Sequence, residues 1–186
     1  MTPEPWRRRA TREVYRNPWI RLREDIVELP NGATTIYGIC EMNECVGVLP
    51  FVDEDHVVMV RQYRYVFQDG TRWEMPTGGC KSGESPESAA HRELAEETGY
   101  CAGQMMHINT HWTSKSVCQE VAHLFVARDL QPIDVHSVIR DETEFLEVRI
   151  WPFQDVLDMV LRSEIRDAMT TIAVLWEARR RRTITT

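Results

Sequence analysis

The apolar residues of this chain fall into short runs up to about Pro76 and only afterwards take a helical period. Residues 19–29 and 33–42 are strand-like stretches on either side of Pro30-Asn31-Gly32, and Asn-Gly supplies the left-handed residues of a tight hairpin. Residues 45–52 and 56–66, parted by Asp53-Glu54-Asp55, are rich in Val and other apolar residues, as buried strands are. Residues 71–76 predict another short strand, ended by Pro76. Residues 1–18, rich in Arg and Pro, predict no regular element and are expected to be loosely held.

Helix signals begin at Ser85, a capping residue. Pro86 suits the first helical position and Gly99 the residue past the end. Residues 107–112 and 120–130 predict two further strands around a polar loop at 113–118, and a second polar loop spans 131–143. Residues 144–151 predict a strand. Two amphipathic helices follow at 152–163 and 167–180. In the first, Phe153, Val156, Leu157, Val160 and Leu161 recur at helical spacing; the second carries Ala168, Ile172, Leu175 and Trp176. The run of Arg at 179–182 is expected to be a solvated helix end that complements the helix dipole.

Size and charge narrow the function classes. With 186 residues, the chain suits one domain with a full core and a small extra lobe. Its net charge of −7, from 22 basic and 29 acidic residues, argues against nucleic acid binding through a general basic field. No stretch approaches the ~18 apolar residues of a membrane span, and residues 1–12 lack the apolar run of a signal peptide. A cytoplasmic protein with no membrane partner is therefore expected. Cys40, Cys45, Cys80, Cys101 and Cys118 show no CxxC spacing, which favours reduced thiols over disulfides or a structural metal.

The chemistry concentrates on the helix after Ser85. Glu93, Glu96 and Glu97 stand at i, i+3 and i+4, within a narrow arc of one face. Ala89 and Ala90, one turn earlier, are expected to leave space above these carboxylates, while Leu94 points to a flank that packs on a sheet. Carboxylates so close repel one another. A solvated acidic face, helped by an Arg92–Glu96 pair, would look the same on helix composition alone. The preceding segment decides between the two readings. Pro76, Gly78, Gly79 and Gly83 let the backbone turn tightly and approach an ion, and hard cations such as Mg²⁺ take a few carboxylates plus carbonyl, water and phosphate oxygens.

The full pattern is Gly78, five residues, Glu84, seven residues, Arg92-Glu93-Leu94, one residue, Glu96-Glu97, one residue, Gly99-Tyr100. It resembles the signature of the Nudix hydrolase family at every fixed position. The resemblance implies that Glu93 and Glu97 are principal metal ligands, that Glu96 is a further ligand partly through water, and that the carbonyl of Thr77 or Gly78 adds an oxygen. It implies that Glu84 and Arg92 are structural, bracing the loop against the helix. The implied cofactor is Mg²⁺, with Mn²⁺ also acceptable to carboxylate sites.

Outside the signature, "VRQYRY", "WEMPTGG" and the final helical stretch resemble the ADP-ribose and nucleoside-diphosphate-sugar pyrophosphatase branch. So does the β-rich start, which in that branch often dimerises and lends residues to the partner's site. The expected fold is an α/β (α+β) Nudix-type α/β/α sandwich around a mixed sheet, at 45–186, preceded by an N-terminal β lobe at 1–44 that forms a homodimer. Arg61 and Arg64 are candidate phosphate or ribose contacts, since guanidinium pairs with phosphate bidentately; a solvated strand edge is the alternative. Glu74 sits just before the loop and is expected to support the site. Trp19, Tyr37 and Phe67 can stack on a base or belong to a core. Water needs a base or a metal to attack near neutral pH; Glu142 is the candidate base and Glu144 is expected near the metals.

One departure concerns the substrate. ADP-ribose enzymes of the branch usually carry a proline-containing "PSPG"-like segment after the signature. Here the stretch is "WTSKSVCQE", with Lys115 and Ser116 in those places and Glu120 at its end. That favours GDP-mannose, UDP-glucose or another nucleotide sugar alongside ADP-ribose. Two rivals stay open: hydrolysis of another nucleoside diphosphate derivative, and an ADP-ribose-binding sensor without activity. The intact set of signature acids argues against the sensor.

Overall fold

The computed structural model describes residues 4–68, 70–134 and 145–184. The strands are β1 (Arg7–Arg16), β2 (Ile20–Glu28), β3 (Thr34–Met42), β4 (Cys45–Pro50), β5 (His56–Tyr63), β6 (Thr71–Glu74), β7 (Thr77–Gly79), β8 (Tyr100–Trp112), β9 (Cys118–Gln119), β10 (Val121–Pro132) and β11 (Glu147–Pro152). The helices are α1 (Pro86–Thr98), α2 (Phe153–Leu161) and α3 (Ala168–Ile184). The chain divides into two units: Met1–Glu44 with Trp112–Val121, and Cys45–His111 with Ala122–Thr186.

The first unit is a four-stranded sheet in the order β1-β2-β3-β9. Asn31-Gly32 makes the hairpin between β2 and β3, with Gly32 at φ 80° and its N–H donating to the Leu29 carbonyl at 2.9 Å. Residues 1–18 were expected to be loosely held, and here the structure corrects the sequence. Residues 7–16 form β1, antiparallel to β2. Every position of β1 is exposed, so no alternation of apolar residues marks it. Its hold on β2 comes from the backbone ladder and from cross-strand pairs: Arg12 to Glu24 at 2.9 Å, Arg21 to Glu13 at 2.9 Å, and Arg9 to Glu28.

The second unit layers helices on both faces of its strands. In the sheet β7-β4-β10-β8, β4 runs parallel to β10 and antiparallel to β7. A second sheet, β11-β5-β6, is antiparallel. Alternation along β4 sends its side chains two ways. Val46 and Val48 pack with Ala89, Ala90 and Leu94 of α1, whereas Leu49, with Phe51 just past the strand, joins Phe153, Val156, Ala173 and Val174 of α2 and α3. Gly47 lies between these layers. A Cβ there would overlap the Met75 side chain and come within 3.0 Å of that of Met169, so the missing side chain lets both methionines close on the strand. Thr170, buried on α3, accepts from the Met75 N–H at 3.1 Å and ties the helix to the segment before β7.

Three further sequence readings change. β8 begins at Tyr100 rather than 107, because its first half alternates with exposed positions and carries little apolar signal. Ala89 and Ala90 leave no space over the carboxylates; both are fully buried in the core. The Arg run is not merely a solvated end. Arg180 and Arg181 bond the wholly buried Glu177 at 2.7 and 2.9 Å, Arg128 joins them at 2.8 Å, and Arg181 lies over Phe153 at 4.4 Å. Burial pushes the Glu177 carboxyl up, but these guanidinium groups outweigh it and hold it below the usual carboxylate range.

Candidate active site

The site is built on α1 and the loop that enters it. Ser85 accepts from the Ser88 N–H at 3.2 Å, Pro86 occupies the first turn, and Gly99 closes the helix in the left-handed region at φ 75°. These signals fix the helix so that Leu94, Ala89 and Ala90 face the core. Glu93 and Glu97, offset around the axis, face β7 and are buried, and Glu96 beside them is three-quarters covered.

The glycine loop closes on these carboxylates. The Thr77 N–H donates to Glu97 Oε2 at 3.2 Å. At Gly78 the backbone comes so near Glu93 that a Cβ would overlap the carboxylate, so only glycine leaves that group in place. Arg92 organises the rest. It donates to both Glu84 oxygens at 2.8 Å, to the Gly79 carbonyl at 2.9 Å, to Glu93 Oε1 at 2.5 Å and to Glu96 Oε2 at 3.0 Å. The Lys81 N–H donates to Glu84 at 2.8 Å. Arg92, with Lys81, depresses the Glu84 carboxyl to about 2.

The oxygen donors of this cluster suit a cation. Arg92 bonds Glu84, Glu93 and Glu96, Glu97 accepts from the Thr77 N–H, and the Lys81 ammonium stands 4.0 Å from Glu96. Oxygen donors only, two of them buried carboxylates against a glycine backbone, suit a hard divalent ion rather than zinc or copper. Among the described residues, no three acidic, His or Cys side chains converge into a site closed by side chains alone. A cation here would take backbone carbonyl, water and substrate oxygens as well, as Mg²⁺ usually does.

Arg64 extends the site. It donates to Glu74 at 2.9 and 3.2 Å and reaches the Thr77 hydroxyl at 3.4 Å, so Glu74, Arg64, Thr77 and Glu97 form a continuous polar chain. Burial pushes the Glu74 carboxyl up, with Arg64 pulling the other way. Arg61 sits apart from this chain, paired with Glu147 of β11 and stacked over Trp73 at 5.1 Å. Glu142 and Glu144 lie outside the described residues. Sequence reasoning missed Asp167, which caps α3 by accepting from the Thr170 N–H at 2.7 Å and lines a cavity with Arg64, Trp73 and Glu74. Its only sequence signal was its place at a helix start.

Comparison with known proteins adds a context. The NUDIX domain matches residues 43–171, and the nucleoside diphosphate sugar hydrolase N-terminal domain matches residues 6–39. An ADP-ribose pyrophosphatase of Bacillus subtilis (strain 168) is 36% identical over 165 residues, 89% of this chain and 88% of the relative. A GDP-mannose pyrophosphatase of Salmonella typhimurium (strain LT2) is 30% identical over 160 residues, 82% of this chain and 76% of the relative. A crystal structure of an ADP compounds hydrolase superposes with a TM-score of 0.84 at 24% identity, covering 96% of this chain and 95% of that one.

Proposed function

The chain belongs to the Nudix family, and on that footing we propose that it uses Mg²⁺ to hydrolyse the diphosphate of ADP-ribose or another nucleoside diphosphate sugar, releasing a nucleoside monophosphate and a sugar phosphate. The observation that carries this reading is the Gly78 backbone pressed against the Glu93 carboxylate, beside a Glu97 held by the Thr77 N–H. Such a cradle has no purpose in a solvated acidic helix. It holds carboxylate oxygens in fixed positions, as an ion site requires.

In this reading Glu93 and Glu97 hold the metal, with Glu96 and the carbonyl of Thr77 or Gly78 completing the protein's share. A divalent ion bound there offsets diphosphate charge and activates water. Glu84 and Arg92 brace the loop on the helix, and Arg92 also keeps Glu93 and Glu96 from recoiling from each other. Arg64, already poised between Glu74 and Thr77, orients a phosphate oxygen; Arg61 contacts substrate only by leaving Glu147. Glu142 serves as base and Glu144 supports the metals, both on the segment outside the described residues.

The first unit is the proposed homodimer surface. Its β1 is an exposed strand, and the cross-strand row Ala10–Ile26–Ile36 leaves Ile26 and Ile36 in solvent at 44% and 66%. Among the described residues no helix is long and apolar enough to cross a membrane.

The test is product analysis. The purified protein is incubated with Mg²⁺ or Mn²⁺ and ADP-ribose, GDP-mannose, UDP-glucose, FAD or nucleoside triphosphates, with Glu97→Gln as control. One diphosphate sugar yielding a monophosphate, with an inactive variant, is the expected result. Binding of ADP-ribose without cleavage would favour the sensor, and cleavage of triphosphates alone would move the enzyme to another Nudix branch.

A further inference from the structure

Arg64 links the carboxylate face to a cavity of about 280 Å³ that none of the signature residues enters. Its walls include Phe67, Trp73, Glu74, Arg166 and Asp167 as well as Arg64. We propose that this cavity is the subsite for the sugar ring of the substrate's phosphosugar half, and so the place where the enzyme selects its glycosyl group; the proposal rests on the diphosphate-sugar reaction above.

Three observations converge on a hydroxylated ring. The wall combines two aromatic rings with two carboxyl groups. Aromatic rings cover the apolar C–H face of a sugar, while carboxyl groups accept from its hydroxyls in any orientation. The second is a wall that both donates and accepts: the guanidinium groups of Arg64, Arg72 and Arg166 stand among the carboxyls of Glu74 and Asp167, a mixture that pairs with hydroxyls. The third is size. Clefts for drug-sized ligands hold roughly 300–1,000 Å³, and this one, just below that range, has room for a sugar ring. Placement agrees. A ring beside Glu74 leaves its phosphate at Arg64 and Thr77, and Thr77 is the residue that holds Glu97.

The two aromatic residues differ in their setting. Trp73 packs against Trp151 with ring centroids 5.4 Å apart, whereas Phe67 lies on an exposed turn and contributes nothing to the core. A change at Phe67 therefore tests the cavity without endangering the fold.

Calorimetric titration of the full chain with mannose 1-phosphate, ribose 5-phosphate, GMP and AMP, in the presence of Mg²⁺, separates the possibilities. Phe67→Ala and Trp73→Leu are expected to weaken at least one sugar phosphate about three- to tenfold, the range of a lost aromatic contact, with the nucleotides unchanged. Sugar phosphates that do not bind the wild type, that bind both variants equally well, or that weaken no more than the nucleotides would overturn the assignment. If the wild type hydrolyses no diphosphate sugar and the binding pattern still holds, the proposed reaction fails while the subsite stands.

Discussion

Gly78 and Gly79 are adjacent glycines for which the structure forecasts opposite outcomes. Neither sits in the left-handed region, so alanine strains the backbone at neither position. At Gly79 an added Cβ meets nothing within 4 Å; at Gly78 it overlaps the Glu93 carboxylate. That carboxylate ends a flexible side chain, so Gly78→Ala folds by displacing it and breaking the 2.5 Å bond to Arg92. Losing one charged hydrogen bond costs about 1.5–3 kcal/mol, and the stiffer unfolded chain returns about 0.4–1 kcal/mol. The net loss of roughly 0.5–2.6 kcal/mol lowers Tm by about 1–10 °C for a chain of this size. The catalytic cost is greater, because displacing a positioning group by ~1 Å can reduce rate about 10²-fold. Calorimetric Tm and kcat/KM for both variants decide the matter. A folded Gly78→Ala with activity within threefold of wild type, or a Gly79→Ala equally impaired, would refute the role given to this cradle.

Other predictions follow from the same geometry. Arg92→Lys keeps the charge but cannot reach Glu84, Glu93, Glu96 and Gly79 together, so Tm should fall and more Mg²⁺ should be needed for half-maximal activity; an unchanged metal titration would contradict the bracing role. The Glu84 carboxyl is depressed from 4.5 to about 2, so its contribution is complete above 4.5 and is lost as pH falls toward 2. Thermal melts across that window should show wild type losing more stability than Glu84→Gln, and parallel curves would count against it. Glu177→Ala leaves Arg128, Arg180 and Arg181 without their shared buried acid and should destabilise by about 3–5 kcal/mol, leaving kcat/KM of the folded fraction unchanged. Of Glu142→Gln and Glu144→Gln, the base should be the one whose loss lowers kcat with little change in KM; equal, small effects would remove both from the mechanism.

The sequence was most informative where local chemistry decides structure. Ser85, Pro86 and Gly99 bounded α1 because a cap, a first-turn proline and a left-handed residue act without tertiary help. Asn31-Gly32 fixed the hairpin for the same reason. Fully exposed β1 escaped detection because charge pairs and backbone bonds, not apolar alternation, hold it. Ala89 and Ala90 were misread because a helical wheel gives angles but not which flank the sheet covers. The site showed the same division. Spacing put Glu93, Glu96 and Glu97 on one helix face, but the roles expected of them, and of Glu84 and Arg92, came from the resemblance of the whole pattern to the Nudix signature. Asp167 and Trp73 enter the cavity from strand and helix ends distant in sequence, and no spacing rule connects them with Arg64.

In the proposed reaction, water attacks a diphosphate held against Glu93 and Glu97. Hydrolysis of GDP-mannose and ADP-ribose in ¹⁸O-labelled water with Mg²⁺, read by mass spectrometry of both products, tests it most directly. A nucleoside monophosphate and a sugar phosphate are expected, with one ¹⁸O in one of the two, and no products from Glu97→Gln. Label in neither product, or equal turnover by Glu97→Gln, would contradict it.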